Sequence, residues 1–390
     1  MRFKDRLKMI DIKGYCDPKF QAVADAFTRC FTEHGENGAS VAVTVEGEMV
    51  VDLWGGFMDE EATRPWEEQT LGIIFSATKG IVTTAVHMLV ERGQIDLDSP
   101  IARYWPEYAQ NGKQNVTLRQ VMSHTAGLPF IDAELYMGAP YDWQTMIEAC
   151  AAQKPEWEPG STLAYHAITF GWIVGEVIHR VSGQMPGEFI AREIAEPLGA
   201  EFYLGLPESQ DSNVADWIDP QPESSSESPP GPSPASGGLR LGFLRANTPR
   251  NALSTRAWKA AQIPAANGYS NGRGLAKIYQ PLALGGEHNG VRIMDRSTIE
   301  AAIVQQADDY DVVLLANAKR AVGYKLIWPD LGETIGERTF GHPGLGGSLG
   351  CADPDKRMSL GYVMNKPWSG PRGSDPRNPS LLEAVYKCID

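Results

Sequence analysis

The segment that most constrains the fold of this chain is a continuous apolar stretch in its first quarter, LGIIFSATKGIVTTAVHMLV. After Ser76 it is apolar on nearly every helical face until Glu91 and Arg92, and Gly93 is a typical helix end. A helix that is apolar all round has to be buried on all sides. The sequence therefore predicts a helix through the centre of the fold, covered by the rest of the chain.

The two ends of the chain carry the strand signals that could cover such a helix. FQAVADAFTRCFTEH has helical spacing, and ASVAVTVEGEMVVDLWGGF has two β-branched runs around a turn, which predicts an antiparallel hairpin. Late in the chain, the segments with strand composition are RAVGYKLIW, ERTFGH and SLGYVMN. PSLLEAVYKCI then predicts a terminal helix. These patterns indicate one sheet built from both ends of the chain.

Helical signals dominate the middle of the chain, where TLRQVMSHTAG starts at a Thr117 cap and AITFGWIVGEVIHRVSG ends at Gly183. The expected fold class is therefore α/β (α+β), an antiparallel sheet flanked by helices with an inserted helical region. The substrate cleft should lie between the sheet and that region.

We expect one catalytic unit over residues 1–390. Its α/β subdomain would comprise about 1–95 and 265–390, and its helical region about 96–264. An exposed Pro/Ser-rich loop is expected at 222–238, where the composition cannot nucleate a core.

Composition limits the partners and the compartment. The net charge of −14 over 390 residues disfavours nucleic acid and anionic membrane surfaces, because both would repel an acidic protein. The five cysteines lack metal-ligand spacing and predict free thiols, and the N-terminus lacks the apolar region of a signal peptide. No apolar run reaches about 18 residues, the length that a membrane helix needs. We expect a cytoplasmic protein whose oligomeric state the sequence leaves open.

Ser76 and Lys79 are the first candidates for chemistry. Ser76 stands where an irregular segment becomes the buried helix, and free N–H groups at a helix N-terminus can stabilise an oxyanion. Lys79 lies one turn later on the same face, and an apolar environment would lower the pKa of its amine toward the range of a base. The alternative is that Ser76 only caps the helix while Lys79 extends to solvent. These residues alone favour neither reading.

Two other serines compete, because GGSLG around Ser348 and GYSNG around Ser270 match the G-x-S-x-G turn of α/β-hydrolases. Ser348 precedes strand, turn and strand instead of a helix, and no histidine follows His342. Ser270 precedes a plausible helix, but AAQIPAAN before it lacks the composition of the required strand. Both serines are therefore the weaker candidates, and their glycines more plausibly serve turns.

Three separated segments carry a family resemblance: SATKGIVTTAVHMLVERGQIDLDSPIARYWPEY, VTLRQVMSHTAGLP and FGHPGLGGSLGCADPDKRMSLGYVMN. In this order they resemble the serine β-lactamase and penicillin-binding superfamily. The resemblance is greatest to class C β-lactamases and to the carboxylesterases of the same fold, called family VIII esterases. It runs from roughly residue 20 to 366 and excludes the Pro/Ser-rich loop.

The resemblance implies a second motif, Tyr-x-Asn, at Tyr165-His166-Ala167. Tyr165 would be the general base, with Lys79 holding it near Ser76 and favouring its anion. Ala167 replaces the asparagine, so the side-chain amide that would bind an amide substrate is absent. His166 is expected to join the substrate-binding residues. His124 in SHTAG belongs to a structural turn of the superfamily and is left out of the site.

The third motif, Lys-Thr-Gly in β-lactamases, corresponds to His342-Pro343-Gly344. By resemblance the backbone N–H of Leu345 would complete an oxyanion hole with that of Ser76, and His342 and Gly344 would contact substrate. A histidine that is mostly neutral at pH 7 and a proline without a donor cannot replace lysine and threonine in holding a carboxylate. This difference favours neutral esters.

The expected function is hydrolysis of small or medium carboxylic esters through an acyl-enzyme on Ser76, with no metal and no organic cofactor. One alternative is amide chemistry in the same fold, as a β-lactamase or D-amino-acid peptidase. Another is a penicillin-binding protein that acylates once and hardly turns over.

Overall fold

The computed structural model describes residues 10–219, 251–326, 335–370 and 375–389. The Pro/Ser-rich loop predicted at 222–238 lies outside these residues. The division of the chain into an α/β subdomain and a helical region stays a prediction.

A nine-stranded antiparallel sheet forms the framework, and five short strands pair outside it. The strands are, in chain order, β1 Ile12–Cys16, β2 Gly38–Val45, β3 Glu48–Gly56, β4 Gly72–Ile73, β5 Phe202–Tyr203, β6 Tyr269–Ser270, β7 Glu287–His288, β8 Val291–Arg292, β9 Ala307–Asp311, β10 Ala316–Arg320, β11 Lys325–Leu326, β12 Phe340–Pro343, β13 Leu349–Asp353 and β14 Met358–Met364. Across the large sheet the order is β1-β3-β2-β14-β13-β12-β11-β10-β9. The predicted antiparallel sheet made from both ends of the chain is confirmed.

The centre of the sheet is the place where the two chain ends meet. The first hairpin, β2–β3, pairs with the last strand, and Val41 lies opposite Tyr362. Every residue of β14 is buried, as in a strand covered on both faces. The segment RAVGYKLIW forms two strands instead of one, because the chain turns between Arg320 and Lys325.

Ten α-helices occur in the described residues. They are α1 Gln21–Thr32, α2 Thr78–Glu91, α3 Leu118–Met122, α4 Trp143–Ala152, α5 Thr169–Ser182, α6 Pro186–Ile190, α7 Arg256–Ala260, α8 Gly272–Ala283, α9 Arg296–Ala302 and α10 Arg377–Ile389. The capping box of Thr117 and Gln120 starts α3, and Gly183 in left-handed conformation ends α5, both as the sequence predicts. None of these helices has the length and apolarity needed to cross a membrane.

The helices form a layer on each face of the sheet. Helices α1 and α10 pack together on one face over a core that includes Phe27, Val43 and Leu382. On the other face α8 lies against β2, β13 and β14, and a second core extends from there into the helical part of the chain. This arrangement of layers places α2 in the interior.

Helix α2 is the central helix that its composition predicts. Its residues from Thr78 to Leu89 are all buried, and it packs against α5, α6 and strand β12. Helix α2 therefore points its N-terminus at the end of β12, where the sheet meets the helical part of the chain.

Candidate active site

Ser76 lies in a short 3₁₀ turn, Phe75–Ala77, directly before α2. The backbone of Phe75 has φ of 45°, a strained value for an aromatic residue, and its ring packs edge-on against Trp217 at 4.7 Å. Ser76 is half-buried, whereas its neighbours Phe75 and Ala77 are buried. The turn therefore presents one hydroxyl at the positive end of a buried helix.

Lys79 is completely buried and does not extend to solvent. Its Nζ lies 3.1 Å from Ser76 Oγ, 2.8 Å from the carbonyl oxygen of Ala167 and 2.9 Å from that of Ala265. Burial, with a smaller contribution from Arg320, holds the pKa of the amine well below its usual value. A neutral amine fits this environment, because two N–H groups satisfy the two carbonyls and the lone pair remains for the Ser76 hydroxyl proton.

Tyr165 reaches the same hydroxyl from the opposite side. Its phenol donates to Ser76 Oγ at 2.8 Å, and Lys79 Nζ lies 4.9 Å from the centre of its ring. Burial raises the pKa of Tyr165 to about 12, although the hydrogen bond to Ser76 and the charge of Arg320 oppose that rise. Burial thus favours the neutral form of both groups. The general-base role of Tyr165 that the resemblance implies stays a prediction.

Asp311, at the end of β9, fixes the backbone around Tyr165. Its buried Oδ1 accepts hydrogen bonds from the N–H groups of Tyr165, Val313 and Leu314, each at 3.0 Å. The carboxylate thus joins the β9–β10 hairpin to the segment that carries the phenol. The sequence analysis did not select Asp311, because it lies 146 positions from Tyr165.

The end of β12 is fastened to the Ser76 turn. Ser348 Oγ donates to the carbonyl oxygen of Ile74 at 2.8 Å, and a Cβ on Gly344 would lie 2.1 Å from that same oxygen. Glycine is therefore required at position 344 for the two segments to approach each other. Leu345 follows and is 61% exposed.

The turn that follows Leu345 is held from the C-terminal helix. Arg377 is 1% exposed, donates to the carbonyl oxygen of Gly346, and pairs with Glu36 at 2.6 Å. The side-chain amide of Asn378 donates to the carbonyl oxygen of Gly347 at 2.9 Å. Sequence reasoning missed both residues, since they follow the last motif of the resemblance.

His342 lies beside Tyr165 with its ring centre 6.3 Å away and nearly parallel. Its Nδ1 is 2.7 Å from the carbonyl oxygen of Pro343 and therefore carries a proton, which leaves Nε2 as an acceptor. Burial and the charges of Lys79 and Arg320 hold its pKa well below the usual value. His342 can accept a hydrogen bond, but it cannot supply the positive charge that a carboxylate needs.

His166 differs from the expectation, because it is fully buried and both ring nitrogens contact the main chain. Its Nε2 accepts from the N–H of Leu128 at 3.1 Å, and its Nδ1 lies 2.6 Å from the carbonyl oxygen of Ala164. We therefore remove His166 from the substrate-binding set. His124 also has a structural contact, since its Nδ1 accepts from the backbone N–H of His166 at 3.1 Å.

The competing serines have occupied hydroxyls. Ser348 Oγ binds the Ile74 carbonyl, and Ser270 Oγ donates to the carbonyl oxygen of Glu201 at 2.6 Å. The strand that we expected to be missing before Ser270 exists as β6, a strand of only two residues. Both serines are 0% exposed, so neither offers its hydroxyl to a substrate in this structure.

An apolar wall borders the reactive hydroxyls. Tyr165, Ala167 and Val313 form a small buried cluster against which Phe130, Trp157 and Leu314 pack. Ala167 contributes only a methyl group at the position where the resemblance would have asparagine. The wall therefore suits the carbon chain of a substrate better than a polar amide.

Comparisons with known proteins find esterases and a penicillin-binding protein homologue that this chain resembles. The chain is 34% identical to "Esterase/beta-lactamase LipL" of Mycobacterium tuberculosis over 362 residues, which cover 90% of this chain and 82% of that protein. A solved structure of a family VIII carboxylesterase is 39% identical, with a TM-score of 0.87 over 97% of this chain and all of that chain. A penicillin-binding protein homologue from Caulobacter crescentus is 35% identical, with a TM-score of 0.88 and the same coverage.

The family model described as "Beta-lactamase" matches residues 23–383, which include all three motifs and every strand of the large sheet except β1. This match and the solved structures confirm the predicted fold class and the resemblance. The chain belongs to the beta-lactamase family.

Proposed function

We propose that this protein is a serine carboxylesterase that hydrolyses small or medium neutral esters through an acyl-enzyme on Ser76. The observation that supports it most strongly is the double contact of Ser76 Oγ, with Lys79 Nζ at 3.1 Å and the Tyr165 hydroxyl at 2.8 Å. One hydroxyl between a neutral amine and a phenol is the arrangement of an activated nucleophile.

In acylation, Ser76 Oγ attacks the ester carbonyl while its proton passes to the neutral amine of Lys79. The backbone N–H groups of Ser76 and Leu345 stabilise the oxyanion, and Gly344 keeps the two segments close enough to do so. As the C–O bond to the alcohol breaks, the Tyr165 phenol gives its proton to the leaving oxygen. The acyl-enzyme is left with a Lys79 ammonium and a Tyr165 phenolate.

Deacylation reverses these proton movements. The Tyr165 phenolate takes a proton from a water molecule, and the resulting hydroxide attacks the acyl carbonyl. When the acid leaves, the Lys79 ammonium returns its proton to Ser76 Oγ. Tyr165 therefore acts as the general base in the second step, and every group returns to its resting state without a metal or cofactor.

The surroundings of His342 favour neutral esters over anionic substrates. Its Nδ1 proton points to the Pro343 carbonyl, and its pKa well below the usual value leaves it uncharged at neutral pH. A β-lactamase remains the second candidate, because LipL is named both an esterase and a beta-lactamase. The missing side-chain amide at Ala167 makes β-lactam turnover the weaker activity.

The test is a panel of p-nitrophenyl esters of increasing acyl length and a chromogenic cephalosporin, run on wild type and Ser76→Ala. We expect steady ester turnover that Ser76→Ala abolishes, and a fluorophosphonate adduct on wild type only. Full activity in Ser76→Ala would refute the assignment of the nucleophile. A single stoichiometric burst would indicate a penicillin-binding type of protein, and cephalosporin turnover faster than ester turnover would indicate a β-lactamase.

We also propose a cytoplasmic location and a small-molecule ester as the partner. All five cysteines are free thiols, in keeping with a reducing compartment. The net charge of −14 disfavours nucleic acid and anionic membranes. Fractionation of the native host with an antibody against this chain would test the location.

A further inference from the structure

A buried ion pair lies behind the catalytic phenol. Arg320 of β10 is 3% exposed, and its guanidinium carbon lies 5.1 Å from the centre of the Tyr165 ring. Asp311 of β9 is 0% exposed, and its Oδ2 lies 3.7 Å from Arg320 Nη2. Asp311 pairs with Ala316 and Arg320 with Ala307, so the two residues share one face of the hairpin but lie at opposite ends of its register. The long side chain of Arg320 makes the contact between them.

The pair is incompletely hydrogen-bonded, so its charges remain available to the neighbouring groups. A distance of 3.7 Å is beyond a hydrogen bond. Within the described residues, Arg320 Nε and Asp311 Oδ2 have no hydrogen-bond partner. Buried charges that are only loosely paired exert strong fields, because the protein interior screens them weakly.

We propose that Arg320 and Asp311 are positioning residues that act through charge, and that they set the protonation of the Lys79–Tyr165 pair with opposite signs. Arg320 favours the form of the pair that has lost one proton and stabilises the phenolate of the acyl-enzyme. Asp311 opposes both effects while its other oxygen holds the backbone of Tyr165. This inference rests on the proposed function, in which Lys79 and Tyr165 move the protons.

The Arg320 guanidinium supplies a positive charge near Tyr165, although the third motif of this chain has no lysine. His342 occupies the position of that lysine and is uncharged, and the cation instead comes from β10, two strands away. Arg320 is buried too deeply to hold a substrate carboxylate. The positive charge thus acts on the base without creating a binding site for anionic substrates.

Other titratable groups around the pair have to be separated from this effect. The other titratable groups near Arg320, Asp311 and Tyr165 are Lys79 on α2, His124 after α3, His166 beside the phenol and His342 on β12. The charge of Lys325 on β11 also lowers the pKa of His342. Burial holds the pKa values of the three histidines below their usual range, which favours their uncharged forms. The permanent charges closest to the phenol are therefore Arg320 and Asp311.

The test compares pH profiles of wild type, Arg320→Met, Asp311→Asn, the double variant and Arg320→Lys. Two rates are followed between pH 4.5 and 10: kcat/KM for p-nitrophenyl acetate and the rate of Ser76 labelling by a fluorophosphonate. Both should rise with pH as the Lys79–Tyr165 pair loses one proton. Arg273→Met is the control, because Arg273 pairs with Asp52, Glu68 and Glu201.

We expect the rising limb to move up by about one pH unit in Arg320→Met and down by a similar amount in Asp311→Asn. In the double variant the pH midpoint of the rising part of the profile should return close to the wild-type value. Arg320→Lys and Arg273→Met should both leave this midpoint at its wild-type value. Asp311→Asn retains Oδ1 as the acceptor for its three backbone N–H groups. Its pH profile therefore tests the inference even where Arg320→Met fails to fold.

Shifts of the same sign, or a rate that falls equally at every pH, would overturn the inference and leave the pair a purely structural role. Failure of the proposed function gives a different result. In that case Ser76→Ala and Tyr165→Phe would retain ester turnover, whatever the charge variants do. The two hypotheses are therefore refuted by different variants.

Discussion

Two buried lysines, Lys79 and Lys113, differ in the groups that surround their amines. Both are 0% exposed, and each directs its Nζ at main-chain carbonyl oxygens near a tyrosine ring. Lys113 has three such carbonyls, those of Gln110, Ala151 and Gln153. These match the three N–H groups of an ammonium ion.

The Nζ of Lys79 also has three partners, but they are two carbonyl oxygens and the hydroxyl of Ser76. A hydroxyl can donate as well as accept, so the third contact allows the neutral amine to be fully satisfied. The pKa of Lys113 is lowered to about 8, whereas that of Lys79 is held well below its usual value with the help of the Arg320 charge. Burial is thus common to both sites, and the two amines differ in their third contact and in the nearby charge of Arg320.

The largest effect should separate the two lysines by activity. Lys79→Met removes the proton acceptor and should lower kcat/KM for p-nitrophenyl acetate by about 1,000-fold. Lys113→Met should keep kcat/KM within about twofold while it costs about 2 kcal/mol of unfolding free energy, because carbonyls lose their donors. Ester kinetics and urea denaturation of both variants measure this. Similar losses of activity in both would contradict the comparison.

The neighbouring tyrosines offer the next contrast. Tyr165→Phe removes the phenol that contacts Ser76 and should lower kcat by about 100-fold. Tyr108→Phe removes a buried hydroxyl that lacks a hydrogen-bond partner in the part of the chain that is described, so kcat should not change. Steady-state kinetics on both variants checks the difference. A Tyr165→Phe enzyme with wild-type kcat would exclude the phenol from the proton transfers.

Substitution of a glycine near each lysine tests how far each site depends on its backbone geometry. Gly344→Ala would place a Cβ 2.1 Å from the carbonyl oxygen of Ile74 and move Leu345 away from Ser76, so we expect kcat to fall about tenfold. Gly112→Ala meets open space, but its φ of +87° disfavours other residues. It should cost about 1 kcal/mol of stability and no activity. Kinetics and thermal unfolding of the two variants distinguish these outcomes.

The final prediction concerns stability at alkaline pH. The pKa of Lys113 is about 8 in the folded protein, against 10.5 as the ordinary value. Between these pH values the unfolded chain binds more protons, so the free energy of unfolding should rise with pH. The excess stability of wild type over Lys113→Met should therefore grow from pH 8 to 10. Urea denaturation at both pH values tests this, and a constant difference would show that the pKa of Lys113 is not lowered.

Local patterns were sufficient for the features that depend on neighbouring residues. The composition of one stretch of sequence predicted the buried helix α2. The spacing of Ser76 and Lys79 offered them only as candidates, and the family resemblance was needed to choose between catalysis and capping. Tyr165 needed the family resemblance, because a single tyrosine in an irregular segment has no signal of its own. His166 was assigned to the substrate because it is adjacent to Tyr165. Tyr165 contacts Ser76, whereas both ring nitrogens of His166 contact the main chain.

The sequence analysis missed those residues that come close to Ser76 and Tyr165 only through the pairing of distant strands. Asp311 and Arg320 meet Tyr165 only because β9 and β10 form the far edge of the sheet and extend over the site. Their signal in the sequence was no more than a charged residue at an inward strand position. The strand β6 was missed because two residues are too few to show any periodicity.

The contact of Arg377 with Gly346 has a consequence for how the protein is made in the cell. Ser76 is synthesised early, but Arg377, whose guanidinium holds the turn that follows Leu345, is added 301 positions later. The central strands of the sheet also pair the start of the chain with its end. A growing polypeptide therefore cannot hold this turn in place until residue 377 has left the ribosome.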